Sequence, residues 1–186
     1  MAVTAVTGEI GSGKSTVSHI LADMKGCECL DADVLAKALW LRPDVKARAV
    51  ERWGDSVLGP DGELVLSAVA EKVFSSAKEH SFCNRLIHPL VMYELKVRVQ
   101  GMHDAVVEIP LLPEAGRQSW IDRAFYVTAK FGTRAERCRV RGWNAQELLR
   151  RESFLLPQPE RTAVCEVIIR NDGSIEELQR QLKENK

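Results

Sequence analysis

The chain has 186 residues, of which 45% are hydrophobic, and its 26 basic and 26 acidic side chains cancel to a net charge of zero. It creates no overall field that would recruit nucleic acid or an anionic membrane, and no apolar run approaches the roughly 20 residues of a membrane span. Its five cysteines lie at irregular spacing rather than in a disulfide framework, so we expect a cytoplasmic globular protein with reduced thiols.

The first predicted element is a strand over residues 2–6, and a complete phosphate-binding loop follows it. Residues 8–15 read Gly-Glu-Ile-Gly-Ser-Gly-Lys-Ser, which is the Gly-x-x-x-x-Gly-Lys-Ser pattern. The glycines let the backbone curl until successive N–H groups point at an anion, and the next helix turns its positive N-terminus toward the same place. The loop therefore predicts a triphosphate site, in which Lys14 reaches the β- and γ-phosphates, Ser15 offers a hydroxyl to Mg²⁺ and Thr16 adds a donor.

A second strand is predicted over residues 27–30, and an acidic pair, Asp31 and Asp33, comes directly after it. The carboxyl end of a strand is the edge at which an α/β sheet presents its ligands. If the strand continues through the pair, its period of two places both carboxylates on the same side. Either aspartate has an alternative role as the N-cap of a helix over residues 34–39. We expect one carboxylate to take a proton from an acceptor hydroxyl and the other to cap.

A long helical stretch separates the second and third predicted strands. Apolar residues recur at three- and four-residue steps over 45–52, 67–74 and 89–99, which is typical of amphipathic helices. Residues 54–62 form a turn-rich break between them. We interpret residues 34–103 as a helical subdomain that lies over the strand ends.

Three further strands are predicted over residues 105–109, 124–128 and 167–169. Five short strands separated by helices indicate an α/β fold around a mostly parallel sheet. After the last strand, Ser174 and Glu177 have the spacing of a capping box for a C-terminal helix.

Residues 133–161 have a positive bias that is unusual in a neutral chain. Planar guanidinium groups match phosphate oxygens, so we expect a lid that faces the phosphates. The alternative is a solvated helix face. The arginines concerned are Arg134, Arg137, Arg139, Arg141, Arg150, Arg151 and Arg161.

The loop alone leaves three classes open: a GTPase, an ATPase motor or regulator, and a small-molecule kinase. A GTPase would carry an Asn/Thr-Lys-x-Asp element, and the nearest candidate, residues 128–131, lacks it. Motors are usually larger and have a strand that ends in an acidic pair, whereas residues 106–110 offer one acid and then a proline. Small size, a helical insertion and an arginine-rich segment favour a kinase, which must close over two ligands.

At this point the motifs taken in order resemble the dephospho-CoA kinase family, over nearly the whole chain. That family phosphorylates the 3′-hydroxyl of the ribose of dephospho-coenzyme A with MgATP. The resemblance implies a P-loop NTPase three-layer fold, similar to nucleoside monophosphate kinases, with a parallel five-stranded sheet, a helical acceptor-binding insertion and a lid. It rests on residues 7–16, Asp31-Ala32-Asp33, Leu-Ile-His-Pro-Leu-Val at 86–91, Ile-Pro-Leu-Leu at 109–112 with Glu114, and Asn-Asp-Gly-Ser at 171–174.

The resemblance also implies roles for individual residues. Asp33 is the expected base and acts together with Lys14. The expected ATP-binding residues are Gly11, Ser12, Gly13, Lys14, Ser15, Thr16, the lid arginines Arg137 and Arg141, and Asn171 beside the adenine. The expected acceptor-binding residues are His88, Pro89, Pro110, Leu111, Leu112 and Glu114.

The chain departs from the family pattern in three places. Glu9 replaces a common glycine of the loop, Leu155 stands where the lid commonly has a glutamine two residues before a proline, and Cys165-Glu166 replaces an Ala-Asp pair. We predict a kinase that uses ATP and dephospho-CoA. A kinase of another nucleoside or small alcohol is the alternative, followed by a nucleotide-binding regulator without an acceptor.

Overall fold

The computed structural model describes residues 2–185, and the chain forms two compact units. The sheet unit comprises the chain up to Asp31 and again from Lys96 onward. The helical unit comprises Ala32–Leu95.

The sheet unit contains one five-stranded parallel sheet with the order β2-β3-β1-β4-β5. All five predicted strands are confirmed. Strand β1 lies at the centre, and Val3, Ala5 and Val6 on it are completely buried, as expected where helices cover both faces of a parallel sheet. The strands are β1 (Ala2–Gly8), β2 (Glu28–Asp31), β3 (Asp104–Glu108), β4 (Arg123–Thr128) and β5 (Val167–Arg170).

The first and last helices pack on one face of this sheet. Val17 and Leu21 of α1 (Lys14–Lys25) and Leu178 of α10 (Ile175–Glu184) belong to one core cluster with residues of β1, β3, β4 and β5. The capping box predicted for the last helix is present, since Ser174 and Glu177 each bond the other's backbone N–H. The other helices wholly inside the sheet unit are α6 (Leu112–Ala115), α7 (Phe131–Arg139), α8 (Ala145–Glu152) and α9 (Gln158–Thr162).

The helical unit contains α2 (Ala32–Trp40), α3 (Pro43–Trp53), a 3₁₀ turn (Gly54–Val57), α4 (Leu66–Val73) and most of α5 (Ala77–Val99). In the first turn of α5, Glu79 accepts hydrogen bonds from Arg52 and Trp53 of α3. These hydrogen bonds, of which the one from Arg52 has the larger effect, lower the pKa of Glu79 to about 2, so the carboxylate stays charged. The contact fixes the start of α5 against the end of α3.

The predicted start of the third of these helices, at residue 89, is wrong. Helix α5 begins twelve residues earlier, and Pro89 lies inside it. The buried stripe of the earlier part is His80, Cys83 and Ile87, which has helical spacing but begins with a histidine that a search for apolar residues passes over. Among the residues described, no helix has the length and apolar content needed to cross a membrane.

Candidate nucleotide-binding site

The phosphate loop connects β1 to α1, and two of its glycines have left-handed backbones, with φ of 75° at Gly11 and 90° at Gly13. A Cβ at Gly11 would lie 2.8 Å from the carbonyl oxygen of Arg134, and one at Gly13 would lie 2.3 Å from the Asn171 amide nitrogen. Both positions therefore require glycine twice over, for backbone conformation and for space. The segments around Arg134 and Asn171 therefore pack closely enough against the loop to hold its shape.

The backbone carbonyl of Ser12 is held from outside the loop. It accepts one hydrogen bond from Asn171 Nδ2 at 2.8 Å and another from Arg137 Nη1 at 3.1 Å. Arg137 also donates through Nη2 to the carbonyl of Asn171, at 3.0 Å. Arg137 and Asn171, two of the residues predicted to bind ATP, thus brace the loop backbone. These bonds restrain the backbone of the loop, and a loop of this kind binds anions through its backbone amides.

The ammonium group of Lys14 lies over the loop rather than extending into solvent. Its Nζ is 3.0 Å from the carbonyl oxygen of Glu9 and 3.4 Å from that of Gly8. These contacts keep the charge of Lys14 close to where phosphates would be bound, and the flexible side chain can still move to reach them.

A buried carboxylate lies beside the hydroxyl that was predicted to bind Mg²⁺. Ser15 Oγ donates to Glu108 Oε1 at 3.1 Å, and Glu108 is buried at the end of β3. Asp31, the last residue of β2, is paired in register with Glu108 on the neighbouring strand. Neighbours in register on parallel strands project to the same face of the sheet. Two carboxylates therefore end adjacent strands next to a hydroxyl, which is a set of hard oxygen ligands.

Sequence reasoning gave Glu108 no role, because it looked for two acids on one strand. The two acids instead come from neighbouring strands whose ends meet. The usable signal was a carboxylate at the carboxyl end of a buried strand. No cluster of three or more histidine, cysteine or acidic side chains suited to a metal occurs within residues 2–185.

Asp33 lies in the first turn of α2, because β2 ends at Asp31 and the helix begins at Ala32. The strand therefore does not continue through the pair, and the condition under which Asp31 and Asp33 would share one side is not met. Asp31 belongs to the sheet unit and Asp33 to the helical unit.

His88 and Pro89, predicted to bind the acceptor, lie in the middle of α5 in the helical unit. Nε2 of His88 is buried and has no hydrogen-bond partner within the described part of the chain. Burial, and to a smaller extent the neighbouring His80, lower the pKa of His88 to about 4. The imidazole is therefore neutral at pH 7.

The other predicted acceptor residues follow β3 in the sheet unit. The carbonyl of Pro110 accepts from the Thr7 hydroxyl at 3.1 Å, and Leu112 is completely buried at the start of α6. Glu114 accepts the backbone N–H of Leu156 at 3.1 Å. Leu112 is thus placed in the core, Glu114 anchors the segment before α9, and Leu111, directly before α6, is half-buried.

Most arginines of the segment 133–161 have carboxylate partners of their own. Arg139 pairs with Glu136, and both Arg150 and Arg151 pair with Glu147 of the same helix. The exposed Arg139 and Arg150 fit the solvated-face alternative, whereas the Arg151 side chain is only 17% exposed and its guanidinium lies 4.0 Å from the centre of the Trp143 ring. Arg137 contacts the phosphate loop, and Arg141 is exposed in the turn after α7.

Two arginines of the segment are buried. Arg161 lies with its guanidinium 6.0 Å from the Tyr126 ring, and Arg134 pairs with Glu9 and Glu152. Cys138 and Leu148, completely buried, pack the segment further. The segment therefore has more to hold it in place than its low apolar content predicts.

The sheet order, with the phosphate loop leaving its central strand, defines the chain as a P-loop kinase. The family model for dephospho-CoA kinase matches residues 2–177. Two dephospho-CoA kinases are similar over almost the full length. The one from Chlorobaculum tepidum is 35% identical, with 98% of this chain and 92% of the relative covered. The one from Bacillus cereus is 32% identical, with 97% and 94% covered. The chain belongs to the dephospho-CoA kinase family and is an ATP-dependent transferase.

Solved structures share this fold. TT1252 from Thermus thermophilus superimposes with a TM-score of 0.79 at 31% identity, covering 99% of this chain and 95% of that one. A dephospho-CoA kinase from Campylobacter jejuni gives a TM-score of 0.68 at 17% identity, with 98% and 94% covered, which supports the fold alone. The family resemblance read from the sequence and the predicted fold class are both confirmed.

Proposed function

We propose that this chain transfers the γ-phosphoryl group of ATP to the 3′-hydroxyl of dephospho-coenzyme A, giving coenzyme A and ADP. The observation that carries the proposal is the complete phosphate loop, braced by Arg137 and Asn171, in a chain that matches relatives of this activity from end to end. The experiment is ADP release from MgATP with dephospho-CoA, compared with adenosine, AMP and pantetheine. We expect ADP release with dephospho-CoA as the acceptor and none with the other three compounds. Faster turnover with adenosine or AMP would favour the alternative, a kinase of another nucleoside or small alcohol.

On the phosphate side, the loop from Gly11 to Thr16 would surround the β- and γ-phosphates of ATP. Lys14 already lies within 3.0 Å of a loop carbonyl and would exchange that contact for phosphate oxygens. Phosphoryl transfer passes through a state whose charge is spread over the transferred oxygens, so positioned positive charge and backbone donors supply most of the catalysis.

On the metal side, we infer that Ser15 and Glu108 would hold Mg²⁺, with Asp31 beside them. The hydroxyl and carboxylate lie 3.1 Å apart and are hard oxygen ligands of the kind that Mg²⁺ prefers. When bound, Mg²⁺ would supply positive charge that neutralises the charge developing on the transferred phosphoryl group. We therefore propose Glu108 as a magnesium ligand in addition to Ser15.

On the acceptor side, Asp33 is proposed as the base that orients the 3′-hydroxyl and takes its proton. Asp31 is paired in register with Glu108, which favours a role near the metal for it and leaves Asp33 for the acceptor. His88, Pro89, Pro110, Leu111, Leu112 and Glu114 stay predicted acceptor residues. Arg141 stays a predicted lid residue for ATP, and Asn171 a predicted neighbour of the adenine. A cytoplasmic location, with no nucleic-acid or membrane partner, stays a prediction from composition.

A further inference from the structure

Glu9 brings a carboxylate into a loop that binds an anion, and the structure buries it. Its side chain accepts from Thr128 Oγ1 at 2.6 Å and from the backbone N–H of Ala129 at 3.2 Å, both at the end of β4. Glu9 is only 7% exposed. A buried charge is expected to have a charged partner, and Arg134 Nε supplies it at 3.2 Å.

Arg134 joins three parts of the sheet unit. Beyond Glu9, its guanidinium donates through Nη1 to the carbonyl of Ile10 in the loop, at 3.3 Å, and it pairs with Glu152 at the end of α8. Its Nε also donates to the carbonyl of Ala129, at 3.0 Å. One buried guanidinium thus links Ile10 of the phosphate loop to Glu152 of α8, 142 residues later in the sequence.

The backbone of Glu9 carries this restraint to the phosphate-binding groups. Its carbonyl oxygen accepts from Lys14 Nζ at 3.0 Å and from the backbone N–H of Ser12 at 3.3 Å. A shift of Glu9 would therefore move both the lysine and the turn of the loop. Small displacements at a reacting centre are expensive in rate and affinity.

We propose that Glu9 is a positioning residue, and that its ion pair with Arg134 sets the geometry of the phosphate loop and couples that loop to α8 through Glu152. The proposal rests on the proposed function only in that ATP is the ligand. Glycine, which has no side chain, could not make this contact, so the coupling depends on the Glu9 carboxylate itself.

The electrostatics make this proposal separable from a simple charge effect. Two carboxylates, of Glu9 and Glu152, share one guanidinium, so removing either charge reduces the negative charge near the loop. A charge effect alone would tighten the binding of ATP in such variants. A positioning effect weakens it.

The test uses Glu9→Gln, Glu152→Gln and the double variant in the full chain, with the dissociation constant of a non-hydrolysable MgATP analogue measured by calorimetry. We expect each single change to weaken binding about tenfold. The double variant should be much less impaired than the product of the two, because both act through Arg134. Glu147→Gln is the matched control, since Glu147 lies on the same helix and pairs only with Arg150 and Arg151 among the ion pairs of the described residues. Its affinity for the analogue should equal that of the unmodified chain.

Two results would overturn the proposal. Tighter binding in Glu9→Gln would mean that its charge alone matters, and unchanged binding with a lower melting temperature would mean that the pair is merely structural. If Glu9→Gln does not fold, Glu152→Gln carries the test, because it lies outside the loop. Binding of the analogue is measured without an acceptor, so failure of the unmodified chain to turn over dephospho-CoA would defeat the proposed function and leave this test intact.

Discussion

The sheet unit and the helical unit hold their candidate functional groups in different ways. In the sheet unit these groups restrain one another: Asn171 and Arg137 bond the Ser12 carbonyl, and Ser15 bonds Glu108. In the helical unit the candidates lie on helices, and Nε2 of His88 is buried without a partner among the described residues. The candidates in the sheet unit are thus preorganised by hydrogen bonds, whereas His88 in the helical unit is held by burial, which keeps its imidazole neutral. The first should respond to substitution through rate, and the second through pH.

The largest effect should come from the acidic pair that spans the two units. Asp33→Asn keeps the shape but removes the proton acceptor, so kcat should fall roughly 10²–10⁴-fold with little change in ATP affinity. Asp31→Asn should be less damaging to kcat. Steady-state kinetics on both variants decide the matter. A greater loss of kcat from Asp31→Asn would identify Asp31 of the sheet unit, and not Asp33 of the helical unit, as the base.

The next effect tests the phosphate side alone. Lys14→Ala removes a positive charge that acts on the transferred group, which typically costs about 10²–10³ in kcat. Lys14 is half-buried, and its hydrogen bonds to the carbonyls of Gly8 and Glu9 join residues that are close in sequence, so we expect the melting temperature to change little. The pair of measurements is kcat and thermal unfolding. A folded variant with unchanged kcat would remove Lys14 from the mechanism.

The third effect concerns His88, the buried histidine of the helical unit, and is measured as a change in the free energy of unfolding with pH. The folded-state pKa of His88 is lowered to about 4, below the ordinary value near 6.5, so the unfolded chain binds more protons between these values. The stability contributed by the neutral imidazole is present above pH 6.5 and is lost as the pH falls toward 4, by about 2–3 kcal/mol. Denaturant unfolding at pH 7 and pH 4.5 measures it.

The matching variant for this third prediction is His88→Asn, which should lose the histidine part of the pH dependence. His103→Asn is the control, since that side chain is 94% exposed. If His88→Asn and the unmodified chain lose the same stability between the two pH values, the imidazole is not held neutral by burial.

The smallest effect concerns residues 133–161. If Arg141 closes over bound ATP, hydrogen exchange in this segment should slow when a non-hydrolysable ATP analogue and dephospho-CoA are both present, and slow less with either alone. Arg141→Ala should raise the KM for ATP or lower kcat while leaving the melting temperature nearly unchanged, because the side chain is exposed. Exchange as slow as that of β1 in the ligand-free protein would identify the segment as packed structure instead of a lid.

The features that could be predicted from the sequence are those that depend on residues close to one another along the chain. The strands are apolar runs because both faces of the sheet are covered, and the phosphate loop is encoded in eight consecutive residues. The buried partners of Glu9 and Ser15 escaped prediction, because Thr128 lies 119 residues from Glu9 and Glu108 lies 93 residues from Ser15. The early turns of α5 escaped because a histidine and a cysteine occupy buried positions usually read from aliphatic side chains. Only the folded sheet, in which the strand ends meet, brings Thr128 to Glu9 and Glu108 to Ser15.

The close approach of α7 to the phosphate loop limits which sequences this fold can accept. A Cβ at position 11 would come within 2.9 Å of the Cys138 sulfur, and Cys138 is completely buried. The two positions therefore share one small volume, although 127 residues separate them. A bulkier residue at 138 would push on the loop as directly as a substitution within it. The size of the side chain at 138 is in effect part of the nucleotide-binding motif, and variants at that position should be read as changes to the loop.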